Sequence, residues 1–147
     1  VNGNPVWPEH WGLTPAQVRD LLERLRSDPL WCSANNVYTL VSDFVVPWTQ
    51  GKGVGYALLV NPAPREVNVL VSHAWSENAE EFLEGVLRAT GEQDVVYICA
   101  LANYQAEDGA GPSIQQQLGS DPTESPFQRV LQHIRCCGAK AGWSWRA

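Results

Sequence analysis

The chain is poor in charge and contains no methionine. Only 18% of its 147 residues are Asp, Glu, Lys or Arg, while 44% are hydrophobic. That balance excludes a disordered polyelectrolyte and fits a globular protein. No Lys/Arg cluster is longer than a pair, and the formal net charge is −6. The dense positive charge that nucleic acid or an anionic membrane surface requires is therefore missing. No apolar segment approaches the roughly 20 residues that span a bilayer. The opening VNGNPVWPEHW lacks the basic-then-apolar layout of a signal peptide. The absence of methionine, initiator included, points to a fragment or a processed product.

Cysteine is scarce as well. Cys32, Cys99, Cys136 and Cys137 form no C-x-x-C pair, and the neighbours Cys136 and Cys137 lack the Cα separation of a good disulfide. Reduced thiols in a cytoplasmic setting are expected. His10, His73, His133 and the cysteines show no ligand spacing, so no metal site is expected. The length suits one domain with a real core.

Helix starts are well marked. Thr14-Pro15-Ala16-Gln17 is a capping box with proline at the first helical position, followed by Val18, Leu21, Leu22 and Leu25 at helical spacing. Asn36 to Val46 carries Val37, Leu40, Val41, Phe44 and Val45 at i, i+3, i+4, i+7 and i+8. This predicts a helix capped by Asn35 or Asn36 and ending at Pro47. Residues 1–46 thus read as an N-terminal helical extension.

The stretch TQGKGVGY invites a phosphate-loop reading, but Lys52 lies between Gly51 and Gly53 and no Ser or Thr follows it. It matches neither G-x-x-x-x-G-K-[ST] nor G-x-G-x-x-G, and a flexible turn is the simpler expectation. Val67 to Ser72 predicts a strand covered on both faces. A helix from Asn78, capped with Glu81, and a second strand over Asp94 to Leu101 complete a βαβ unit. Ala102 to Glu124 reads as a long loop, and Ser125-Pro126-Phe127-Gln128 as a third capping box. Residues 139–147 show no periodicity and read as an irregular tail.

The first strand breaks on Ser72-His73-Ala74-Trp75 just before a capped helix, where parallel sheets place ligands. His73 as a general base lacks a partner: adjacent strand residues point to opposite faces, so Ser72 is badly placed as its nucleophile. Trp7, Trp11, Trp31, Trp143 and Trp145 lie outside the βαβ unit and would mark a partner surface if exposed together.

In its order of segments, PWTQGKGVGYALLVNP, then VNVLVSHAW with its capped helix, then DVVYICALANYQ and SPFQRVL, the chain resembles a Toll/interleukin receptor (TIR)-like family of the protist V-S-H-x-W type. The resemblance covers roughly residues 47–132. It implies a flavodoxin-like fold, a parallel sheet with helices on both faces, of which 47–138 form a partial domain.

It also implies either association with like domains or cleavage of NAD⁺ at the nicotinamide–ribose bond by a third-helix glutamate. After Gly138 the chain has no W-C-x-x-E segment, and Trp31-Cys32 lies upstream with no glutamate three residues on. The catalytic residue is thus unassigned, Glu107 and Asp108 being the nearest substitutes. If NAD⁺ binds, the resemblance puts Ser72, His73, Trp75 and Asn103 around it. The expected function is a signalling or scaffold module acting by self-association or with other TIR-like domains through 102–124, without catalysis of its own. NAD⁺ hydrolysis is the alternative.

Overall fold

The computed structural model describes residues 7–61, 63–119, 125–137 and 144–145. The end of the long loop (120–124) and Trp143 lie outside the described residues. Helix α1 (Pro15–Ser27) starts as the sequence predicts. Thr14 Oγ1 accepts the Gln17 N–H at 3.2 Å while Gln17 Oε1 accepts the Thr14 N–H at 3.0 Å.

Asn36 caps the next helix through the Thr39 N–H. That helix does not end at Pro47. α2 (Val37–Leu40) runs through a π-helical turn (Val41–Val45) into α3 (Val46–Thr49). Pro47 has no N–H to donate, and its ring would strike the carbonyl four residues back. Widening the preceding turn, so that the Val46 N–H reaches Val41 O, removes the clash and lets the helix continue. A short α4 (Tyr56–Val60) follows the glycine loop.

Strand β1 (Val69–Ser72) and β2 (Val96–Ile98) pair in parallel, with Val69 opposite Val96 and Val71 opposite Ile98. Helix α5 (Ala79–Ala89) connects them, its first turn capped by Asn78, whose Oδ1 accepts the Glu81 N–H. Alternation along the strands sorts their side chains between two apolar clusters. Val69, Val71, Val96 and Ile98 join α1, α2, α4 and α5 in the larger one. Leu70 and Tyr97 join Val130 and Ile134 of α8 (Pro126–Cys137) in the other. The protein is thus a mixed α/β fold, its parallel sheet covered by helices on both faces.

Strand β2 is shorter than the apolar run suggests. After Ile98 the chain turns into α6 (Cys99–Ala102), so Cys99 opens a helical turn instead of continuing the strand. Of the tail read as irregular, β3 (Ser144–Trp145) runs parallel beside β1, giving the order β2-β1-β3.

Residues read as an extension share the core with the sheet. Leu13 exchanges both backbone hydrogen bonds with Val96, at 2.9 and 2.8 Å, and so covers the free edge of β2. Arg26 of α1 pairs with Glu80 and Glu84 of α5, and the Trp31 indole N–H donates to Glu80 Oε2 at 2.9 Å. These bonds hold the Glu80 carboxyl below its ordinary pKa, the Trp31 bond foremost. At the other face Arg129 of α8 pairs with Glu9 at 2.8 Å.

Candidate functional site

Two places collect the residues singled out by the sequence. The first is the end of β1. His73 and Trp75 follow Ser72 and are half-buried, their rings 5.6 Å apart and tilted by 57°. His73 also meets Phe82 at 5.1 Å, and Trp75 meets Tyr38 at 5.5 Å. The four rings form a ladder from the core to the surface, where Tyr38 is 58% exposed.

Backbone bonds fix this arrangement. The Tyr38 N–H donates to Trp75 O and the Val37 N–H to Glu77 O, so the start of α2 is sewn to the loop after β1. Glu77 closes the loop on itself by accepting the Ala74 N–H. Burial lowers the pKa of the His73 ring below its ordinary value, opposed by a backbone interaction at Ala74, and Nδ1 is buried with no partner at good hydrogen-bond geometry. A buried imidazole near neutral pH is uncharged.

Asn103 makes its side-chain bonds to β2 and α6. It is 2% exposed, accepts the Tyr97 hydroxyl at 3.2 Å and directs its amide to Cys99 Sγ at 3.5 Å. Its side chain is committed to holding α6 against β2. Burial pushes the Cys99 thiol up, which keeps it protonated and inert.

The second place is where the glycine loop meets the long loop. Asp108 accepts the Gly51 N–H at 2.7 Å, the Ala110 N–H at 3.0 Å and the Tyr104 hydroxyl. These donors, the Tyr104 hydroxyl first, hold its carboxyl below the usual range. The N–H that a phosphate would seek at Gly51 already serves an anion supplied by the chain. Glu107, at a left-handed φ of 50°, accepts the Ile114 N–H at 2.8 Å. Both acids considered as substitutes for a catalytic glutamate are therefore engaged with backbone donors.

Beyond this clasp lies α7 (Ile114–Leu118), opened by a capping box between Ser113 and Gln116. Gln117 anchors it to Tyr104 in both directions, accepting the Tyr104 N–H at 2.9 Å and donating to Tyr104 O at 2.8 Å.

No family model matches this sequence, and no curated protein or solved structure matches it either. No group of three or more His, Cys, Asp or Glu suited to a metal occurs among the described residues. No helix among them is long and apolar enough to cross a membrane.

The sequence had not joined Tyr38 to Trp75 or Asp108 to Gly51, since both contacts form between distant segments. The Ser113 box was visible in the S-x-x-Q spacing of Ser113-Ile114-Gln115-Gln116 but lacked a following apolar stripe.

Proposed function

We propose that this chain is a TIR-like association module that binds a second copy of itself through 102–124 and carries no catalysis of its own. The observation behind this is α7. It buries none of its residues, and Leu118 is 42% exposed, yet polar bonds to Glu107 and Tyr104 fix its position. A five-residue helix is not stable by propensity alone. Holding one rigid at the surface presents a preformed contact and lowers the ordering cost of binding.

Residues 109–119 carry no charge in a chain of net charge −6, so two copies meet there without like-charge repulsion. The parallel order β2-β1-β3 supports the flavodoxin-like part of the reading, because such sheets begin in that order.

The test is sedimentation velocity across a concentration series with wild type and Leu118→Glu. Wild type is expected to self-associate and the variant to remain monomeric. A monomeric wild type at high concentration, or a variant that associates equally well, refutes the proposal.

A second reading, NAD⁺ cleavage, draws on Ser72, His73 and Trp75 lying together after β1. It needs a free carboxylate, and the bonds of Glu107 and Asp108 weigh against it. Nicotinamide release on incubation with NAD⁺ decides between the two.

A further inference from the structure

We propose that the glycine segment 51–55 is a latch on α7: by clasping residues 108–111 it holds that helix in place, and its release frees the helix and weakens association. The effect on association rests on the reading proposed above, whereas the holding of α7 stands on geometry alone.

None of the residues of α7 is buried, and its tethers to the rest of the chain are polar. Gln117 bonds to the Tyr104 backbone, and the Ile114 N–H donates to Glu107 Oε1. The tether through Glu107 depends on the glycine segment. Asp108, the next residue, accepts the Gly51 N–H at 2.7 Å. The Tyr104 hydroxyl joins both, donating to Asp108 and accepting the same Gly51 N–H at 3.2 Å. Two residues on, the backbones touch. A Cβ on Gly53 would lie 2.6 Å from Ala110 O, and one on Gly111 would lie 2.7 Å from Gly53 O. Gly55 lies equally close to Ala102 O at the base of the long loop, so all three alternate glycines of G-K-G-V-G meet that loop.

The clasp imposes a conformation that the long loop does not favour by itself. Among the described residues every left-handed φ falls in these two loops, at Gly51, Gly53, Glu107, Gly109 and Gly119. Glu107, at 50°, is the one non-glycine among them, and such a backbone persists only where its surroundings over-determine it. With the clasp open, Glu107 relaxes and its carboxyl leaves the Ile114 N–H. A five-residue helix that has lost a tether does not keep its shape by propensity. Closed and open are thus two states of one loop, and contacts outside α7 set the balance between them.

The test is ¹⁵N relaxation of the whole chain, with association followed by sedimentation velocity. In wild type the ¹H–¹⁵N NOE of residues 114–118 is expected to match that of α1. Asp108→Ala removes the acceptor shared by Gly51, Ala110 and Tyr104. Gly53→Ala wedges the backbones apart from the other side. Each is expected to lower the NOE over 107–118 to that of a free loop and to shift the Ile114 amide, with α1 and α5 unchanged. Each should also weaken association although Leu118 is untouched. Asp108→Asn keeps one acceptor oxygen and should restore part of the order.

An α7 that is mobile in wild type, or as rigid in both folded variants as in wild type, overturns the latch. Loosening of α7 that leaves association at its wild-type strength overturns its control of association. A monomeric wild type refutes the association reading instead, and the NOE of α7 still decides whether the glycine segment holds the helix.

Discussion

Replacing Gly55 with alanine tests whether the glycine loop is a packing joint. A Cβ there would lie 2.2 Å from Ala102 O and 2.8 Å from Asn103 O, more than half an ångström inside the 3.4–4 Å of ordinary contact. Those atoms are backbone, so no side chain can turn aside. Overpacking against atoms that can move costs typically about 1–3 kcal/mol, and this site belongs at or above the top of that range. The stiffer unfolded chain returns about 0.4–1 kcal/mol. The net loss is about 2–3 kcal/mol, which at a urea slope of about 1–3 kcal/mol per molar moves the midpoint down by about 0.7–3 M.

Two companions separate the causes. Gly51→Ala meets nothing within 4 Å but must hold φ at +77°, a left-handed conformation that costs about 1–2 kcal/mol. Gly91→Ala meets only Asp94 Oδ2, at an ordinary 3.9 Å, and has no such φ, so it is expected to unfold with the wild type or slightly above it. Urea unfolding followed by tryptophan fluorescence gives the ranking. A Gly55→Ala protein as stable as Gly91→Ala would mean that the two loops do not approach as described.

Two further outcomes concern pH. The Glu80 carboxyl is held below 4.5, so its contribution is present above that value and is lost as pH falls through the lowered one. Glu80→Gln should flatten this part of a stability–pH curve and cost on the order of 1.5–3 kcal/mol at neutral pH, as expected for a charge-assisted bond. The His73 ring is depressed below 6.5, so the unfolded chain binds its proton first. Stability should decline as pH falls below about 6.5. A folded His73→Phe should lack that decline, and an unchanged curve would refute the burial of the neutral ring.

Local signals were legible in the sequence where one short-range interaction decides the outcome. Thr14, Asn36, Asn78 and Ser125 each accept the N–H three residues on, as their spacing predicts. Expectations failed where two local rules competed. At Pro47 the missing donor argued for a stop, but the apolar stripe Val41, Phe44 and Val45 is buried on the core and carries the helix through. At Cys99 the apolar run argued for strand, whereas the Asn103 N–H bonds back to Cys99 O and closes a helical turn.

The candidate site was half legible. A strand ending on Ser72, His73 and Trp75 stands out in one dimension. The Tyr38–Trp75 contact and the engagement of Asp108 with Gly51 do not, because nothing in a single sequence pairs segments so far apart.

The pairing of residues 9–13 with segments far along the chain has a consequence for biogenesis. Leu13 pairs with Val96, and Glu9 pairs with Arg129 across a separation of 120 positions. During synthesis the early segment emerges with its β-partner not yet made, and α1 offers an apolar stripe long before the strands that cover it exist. Distant pairings of this kind slow folding, since the loop must close before the contact rewards it. A nascent chain arrested between Leu13 and Val96 should therefore stay open to proteases and chaperones, then become resistant in one step once α8 has left the ribosome.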